Sequence, residues 1–508
     1  MSHMSHQKSQ TITFESISPA EFFYRNRQMA GFGNPTQAVY STVRELVENS
    51  LDSCEDAASL PRIEIDIQDD TSDNIIIKVF DNGCGVPSDE IPNAFGRVLY
   101  GSKYSQRQKR GTFGLGVTMA ILYGQITTDS PLIVHSKTPD SQGMLYQLLV
   151  DVENNEPIVE RSEELQRSEN GTTVTVTIKG DLKRAYDRLM DYLKLSVIST
   201  PHARISLTIG DNVVNHFGRF SNTIPAPVIA SLPHPRAADL EMLRRLTQKN
   251  SSKTLHDFLC DSFQRVGPKT TARFLRFMNM NPHQIVGEMT REDLTKLGTS
   301  LRSYDGFEKP DSGCLSPIGK QEFVRSVASQ FNTTLTHYSV RGPSEWQGNP
   351  FVIEAVLATG DDFPRSDTPS LFRFANRVPL LYDSSDDILT RVMKRTRWAR
   401  YNLHTAVPVA LFVHVCSTRI PFKAAGKQSI ASVPEIENEA QLLFKELGRK
   451  LSKMTTKVQA SAREIKKMRE FSKSFRQIVR FSASLAELEN VPSTENLVQA
   501  LFEVDTDA

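Results

Sequence analysis

Arg44-Glu45-Leu46-Val47-Glu48-Asn49-Ser50-Leu51-Asp52 is the stretch from which the chain is best read. On a helix Glu45, Asn49 and Asp52 fall at i, i+4 and i+7 and share one face, while Leu46, Val47 and Leu51 lie largely on others. Taken alone, such a stripe reads as the solvated side of an amphipathic helix. Upstream, Pro35 opens that helix after the turn Gly31-Phe32-Gly33-Asn34, and Val39, Val43, Leu46, Val47 and Leu51 supply its apolar side. Ser18-Pro19 starts a shorter helix, with Ser18 as N-cap and Pro19 at the first position. Downstream, Asp81-Asn82-Gly83-Cys84-Gly85 follows a strand expected at 75–80 and, alone, reads as a strand-end turn.

The third element is Gly111-Thr112-Phe113-Gly114-Leu115-Gly116, ahead of a helix beginning at 117–122. Alone it reads as a flexible surface loop. Gly111 and Gly116 have the spacing of a Walker loop, but Val117 stands where its lysine belongs. A Rossmann fingerprint lacks its third glycine. What survives is a glycine-rich lid able to present backbone N–H groups to phosphates, with a helix N-terminus behind it.

Further strands are expected at 62–68, 133–135, 145–150 and 172–178. They cluster, which favours α+β layering for residues 31 to about 225. Pro225, Pro227, Pro233 and Pro235 mark a boundary, followed by helical sequence over 236–300 with a Val266-Gly267-Pro268 turn. A second boundary lies near Lys309-Pro310, and 315–425 return to strands and helices. From Pro434 to about Glu489 glycine and proline are nearly absent. Leu443, Leu447, Leu451, Met454, Val458, Ile465 and Met468 keep helical spacing, which predicts one helix of about 80 Å at 1.5 Å per residue.

The order and spacing of the three elements, with Gly171-Thr172-Thr173-Val174 as a fourth, resemble the Bergerat-fold (GHKL) ATPases. That superfamily holds gyrase-type topoisomerases, heat-shock chaperones of the ninety-kilodalton class, sensor histidine kinases and mismatch-repair ATPases. The resemblance narrows to the B subunits of the topoisomerase VI family, of type IIB. It rests on Asn34-Pro35 leading into Val43–Asp52, Tyr100-Gly101-Ser102-Lys103, and Cys314-Leu315-Ser316-Pro317-Ile318-Gly319. Phe374-Ala375-Asn376-Arg377-Val378-Pro379-Leu380 and Ser417-Thr418-Arg419-Ile420-Pro421-Phe422-Lys423 match as well.

The resemblance implies an N-terminal strap (1–30), a Bergerat ATPase domain (31–228) and a helix-two-turns-helix domain (229–308). A ribosomal-protein-like α/β transducer (309–433) and a long stalk helix whose tail contacts the A partner (434–508) complete it. It implies ATP and Mg²⁺, with Glu45 as general base and Asn49 as the metal ligand. Asp52 belongs to the implied nucleotide set, Asp81 accepts from the adenine amine, Thr172 helps bind adenine, and Gly83 and Gly85 allow close approach. Ser102, Lys103 and the run Gly111, Thr112, Phe113, Gly114, Leu115, Gly116, Val117 and Thr118 wrap the phosphates. Lys427, in Gly426-Lys427-Gln428, matches the transducer lysine that reaches the γ-phosphate; without the family match it reads as a solvated loop lysine. Phe113 and Leu115 depart from the family's Gly-x-Gln-Gly-Ile-Gly lid. The family's Trp-Lys-x-Tyr loop, a DNA-contact element, appears as Trp398-Ala399-Arg400-Tyr401.

Composition sets the outer limits. The chain has 508 residues, 39% apolar and 23% charged, with 60 Lys and Arg against 59 Asp and Glu. A histone-like basic protein is excluded, although local basic faces are not. Residues 441–480 hold twelve Lys and Arg but three Glu, a face suited equally to DNA phosphates, an acidic partner or water. The five scattered cysteines form no CxxC pair, so neither a zinc site nor a disulfide framework is expected. The longest near-apolar run, 406–416, is too short to span a bilayer, and the polar start predicts no secretory signal. The expected setting is cytoplasmic and nucleoid-associated.

The family resemblance implies an A2B2 complex with a DNA-cleaving A subunit, double-stranded DNA as substrate and ATP-dependent homodimerisation, with no membrane. No Glu-Gly-Asp-Ser Toprim motif is present, which argues against gyrase B and against DNA cleavage by this chain. The alternative is a non-catalytic regulatory relative that activates a cleaving partner without ATP turnover.

Overall fold

The computed structural model describes residues 16–69, 73–101, 108–111, 115–229, 231–382, 384–403, 407–424 and 426–487. Helix α1 (Pro19–Arg25) begins where Ser18 Oγ accepts the Glu21 N–H at 3.0 Å. Helix α2 (Pro35–Asp56) begins where Asn34 Oδ1 accepts the Gln37 N–H at 2.8 Å. Strands β1 (Arg62–Asp69) and β2 (Asn74–Asp81) follow, then α3 (Ile91–Gly96), α4 (Gly116–Thr128), β3 (Leu132–Lys137), β4 (Met144–Asp151), β5 (Glu156–Glu164) and β6 (Gly171–Lys179). Helix α5 (Leu182–Ser199), β7 (Arg204–Ile209) and β8 (Asn212–Phe217) complete this part.

The eight strands form one sheet in the order β5-β4-β3-β6-β2-β1-β7-β8, antiparallel except for β1 beside β7. The α+β expectation therefore holds. Helices α2, α4 and α5 pack together on the sheet. Strands β7 and β8 and helix α5 lie beyond the elements expected above, although α5 carries helical apolar spacing at Leu182, Ala185, Leu189, Tyr192 and Leu193 and β7 alternates at Ile205 and Leu207. Val39, Val43, Val47 and Leu51 of α2 are sealed in the core, each stabilising the fold by about 1.5–3 kcal/mol.

A separate helical core holds α6 (Leu240–Lys249), α7 (Leu255–Ser262), α8 (Pro268–Met278) and α9 (Arg291–Ser303) around Phe258, Phe263 and Phe274. Next come α10 (Lys320–Gln330), β9 (Leu335–Trp346), β10 (Asn349–Thr359), β11 (Ser370–Ala375), β12 (Val378–Pro379), α11 (Ile388–Arg395) and β13 (Val409–Ser417). Their sheet runs β12-β11-β13-β10-β9. The near-apolar run is thus central strand β13, buried at every position. Its histidine, His414, meets Glu354 of β10 at 2.7 Å, and Glu354 also accepts the N–H groups of Ile318 and Gly319. That buried carboxylate seats the Cys314–Gly319 motif.

Helix α12 (Pro434–Leu485) spans 52 residues, as its sequence predicts. Its first turns bury Ile436, Leu443, Phe444, Leu447 and Leu451 on the sheet. A Cβ at Gly448 would meet the Tyr401 ring at 2.5 Å, which explains the glycine there. Trp398 is likewise buried, its indole N–H donating to the Met393 carbonyl at 3.0 Å. The Trp398–Tyr401 loop thus anchors the stalk through its aromatics and leaves Arg400 exposed. Among the described residues no helix is long and apolar enough to cross a membrane.

Candidate active site

The polar stripe of α2 is not solvated. Glu45 is 6% and Asp52 1% exposed, because α4, α5 and the 422–430 loop close over the helix. That loop is tied at its neck by a bridge between Phe422 and Ile430. At its tip Lys427 adopts φ +52° and is 4% exposed. Its ammonium lies 3.8 Å from Glu45 Oε2 and 3.5 Å from Glu48 Oε2, across 379 residues of chain from the latter.

Arg44 completes the cluster. Its guanidinium pairs with Glu45, approaches Glu48 at 3.4 Å, and donates to the Gly426 carbonyl at 2.9 Å. Two carboxylates and two cations are therefore buried together. Burial pushes the Glu48 carboxyl up, against the pull of Lys427 and Arg44. Removing one member would leave a buried charge poorly compensated, a more costly change than losing a surface pair. Arg44 and Glu48 are absent from the sequence-based site. Their i, i+4 spacing is the available signal, but in sequence it is indistinguishable from an ordinary surface ion pair on a helix.

The lid returns to this cluster. A Cβ on Gly116 would stand 1.7 Å from Glu45 Oε2, so only glycine lets α4 begin against the carboxylate. Leu115, at the N-cap, contributes no side-chain cap to the first turn of α4. Leu115 and Thr118 are buried, and Gly111 and Val117 half-buried. Ser102, Lys103, Thr112, Phe113 and Gly114 lie outside the described residues.

Asn49 is half-buried one turn beyond Glu45. Asp52, one turn further, pairs with Arg110 Nη1 at 2.9 Å.

The adenine-side residues also converge. Asp81, at the end of β2, is 4% exposed. It accepts from Ser50 Oγ at 3.0 Å, the Gly83 N–H at 2.9 Å and the Thr172 N–H at 3.3 Å. Burial pushes its carboxyl up to about 6 in spite of those donors. Thr172 Oγ1 lies 3.0 Å from Ser136 Oγ. Gly85 has φ +71°, and a Cβ there would strike the Lys137 carbonyl at 2.1 Å, so its freedom serves packing of the loop on β3.

Residues 34–182 match the family of histidine kinase-, DNA gyrase B- and HSP90-like ATPases, and 310–467 match the topoisomerase VI B subunit transducer. The B subunit of the type 2 DNA topoisomerase 6 of Pyrobaculum aerophilum is 37% identical over 489 residues, covering 95% of this chain and 93% of the relative. The chain belongs to the topoisomerase VI B-subunit family. The Saccharolobus shibatae B subunit is 38% identical over 478 residues, covering 93% of this chain and 90% of the relative. As a topoisomerase VI B subunit, the chain is the ATP-hydrolysing subunit of a type IIB topoisomerase. The meeting of α2, α4 and the 422–430 loop joins its ATPase part to its transducer.

Proposed function

We propose that ATP binds across the Asp81–Thr172 end and the Glu45–Gly116 end of this site, and that its hydrolysis drives a gate through the transducer. The observation that carries the reading is Lys427 Nζ, 3.8 Å from Glu45 although it belongs to another domain. Glu45 orients the attacking water and takes its proton. Asp81 accepts from the adenine amine. Lys427 places a point charge where a γ-phosphate would sit. The separate cores support a division between 31–228, 229–308 and 309–433, while Ala20 and Ala30 of the 1–30 strap share the first core and Ile436 to Leu451 of the 434–508 stalk share the last.

Among the described residues no cluster of three His, Cys, Asp or Glu could cage a metal. The donor set nevertheless fits Mg²⁺, which prefers few protein ligands plus phosphate and water, and Asn49 would supply the one amide oxygen. The ion would neutralise phosphate charge.

The raised Asp81 carboxyl gives a pH signature. Its folded-state value of about 6 lies above the ordinary aspartate value, so the side chain loses its acceptor charge as pH falls through about 6. Affinity for a non-hydrolysable ATP analogue is expected to fall there by up to about tenfold per pH unit. Asp81→Asn is expected to bind more weakly at neutral pH and to lack this component. Calorimetric titrations of both proteins from pH 5 to 8 check it, and superimposable profiles remove Asp81 from the site.

Two copies close around one DNA duplex when ATP binds, and a separate A subunit cuts a second duplex, in an A2B2 assembly. Ile17, Phe22, Tyr24 and Met29 are exposed on the N-terminal arm, which suits it to a partner copy. Sedimentation is expected to show a shift toward dimer with the analogue, weakened by deleting 1–30; one mass in both states counts against the gate. The decisive experiment is relaxation of supercoiled plasmid with and without an A subunit, ATP and Mg²⁺. No relaxation by the complete mixture refutes the reading.

A further inference from the structure

The segment 108–111 leads into the lid, and three successive residues are anchored outside it. Gln108 bridges Ser316 in both directions: its Nε2 donates to the Ser316 carbonyl at 3.0 Å and its Oε1 accepts the Ser316 N–H at 2.8 Å. The Lys109 carbonyl accepts from Asn376 Nδ2 at 3.3 Å. Arg110 holds Asp52 at 2.9 Å and Glu55 at 2.7 Å, both from the last turns of α2.

Glu55 is shared across the domain boundary. Arg377, in the turn between β11 and β12, reaches it at 3.5 Å and also donates to Ser316 Oγ at 3.1 Å and the Ser316 carbonyl at 3.2 Å. Gln108, Arg110 and Arg377 are 5%, 3% and 6% exposed. Burial pushes the Glu55 carboxyl up, but Arg110, His202 and Arg377 overcome it and hold it well below the usual range. One half-buried carboxylate thus carries two guanidiniums, one from the segment before the lid and one from the transducer. Withdrawing Arg377 would disturb Ser316, and with it the partner of Gln108. The contacts from Arg377 through Ser316 to Gln108 are contiguous.

We propose that Arg377 and Gln108 are positioning residues for ATP hydrolysis, tying residues 108–111, which lead into the glycine-rich stretch, to the transducer so that the two change position together. This rests on the reading of 111–118 as the phosphate lid. Neither residue touches Glu45 or Lys427 among the contacts described, so both act through the lid.

The test uses the full chain with Arg377→Lys, which keeps the charge but loses the planar fork, with Gln108→Ala, and with the double variant. Steady-state kinetics give kcat and KM for ATP, and melting temperature reports integrity. Amide hydrogen exchange at 115–118 is measured with and without adenylyl imidodiphosphate. The expected result is analogue-dependent protection of 115–118 in the parent protein and less protection in each variant at equal analogue. KM is expected to rise about fivefold or more, with the double variant no worse than the more affected single one. A merely structural role lowers kcat with the active fraction and leaves KM unchanged; that result, or additive losses, overturns the proposal. If Arg377→Lys does not fold, Gln108→Ala decides by the same criteria. Undiminished protection and KM in the variants overturn the tie alone. No protection in the parent protein overturns the lid reading and the tie together.

Discussion

Glu45→Gln is expected to bind ATP within a few-fold of the parent protein and to hydrolyse it about 10²–10⁴-fold more slowly, the range for loss of a positioned general base. The amide keeps the shape of the side chain and can still accept from Arg44, which pairs with Glu45. What it cannot do is take a proton from water. Glu45→Ala tests the same role more harshly: both variants remove the negative charge facing Arg44 and Lys427, but alanine also removes the oxygen that Arg44 can donate to. Part of any loss in either variant then belongs to an unbalanced buried cluster, and the larger part in the alanine variant. Calorimetry with a non-hydrolysable analogue and a phosphate-release assay separate the two effects. Turnover near the parental rate in Glu45→Gln would remove this residue as the base.

Lys427→Ala is expected to divide ATP from ADP. A charge-assisted contact is worth about 1.5–3 kcal/mol, so ATP affinity is expected to fall by about 10- to 150-fold and ADP affinity by a few-fold at most. The reason is differential binding: a conformational change follows only from a ligand that contacts two states unequally. The 422–430 loop is well placed to supply that difference. Arg44 holds it through the Gly426 carbonyl at 2.9 Å, and Glu48 faces the ammonium at 3.5 Å. A γ-phosphate would compete with Glu45 and Glu48 for one cation. Strand passage with an A subunit is expected to fall at least as far as hydrolysis, since the loop precedes α12 by only a few residues. Equal losses for ATP and ADP, or undiminished plasmid relaxation, would reduce Lys427 to a structural ion-pair partner.

The elements legible from the sequence are those with local causes. Ser18-Pro19 caps one helix and Pro35 opens another because a side-chain oxygen and a fixed φ act within one turn; both starts are present, and the structure adds Asn34 as the second cap. The long helix followed from the near absence of Gly and Pro over 434–489. The lid and the Asp81 loop followed from glycine spacing and from family resemblance, and the structure draws Glu45, Gly116 and Lys427 into one cluster and Asp81 and Thr172 into another.

Burial and partnership were decided elsewhere. Periodicity says which residues share a face, but not whether that face meets water, so the α2 stripe was ambiguous until three segments from distant parts of the chain covered it. Arg44 and Glu48 became site residues only because the 422–430 loop arrives beside them. Asp52, assigned to the nucleotide set by resemblance, meets Arg110 because the segment before the lid folds back onto the end of α2. Helices, turns and the chemical identity of the site's groups could be read from the chain alone, since these depend on neighbours within a few residues. Which charges share a low-dielectric interior is a property of the folded molecule, because that interaction depends on distance in space and on exclusion of water, neither of which is encoded by separation along the chain.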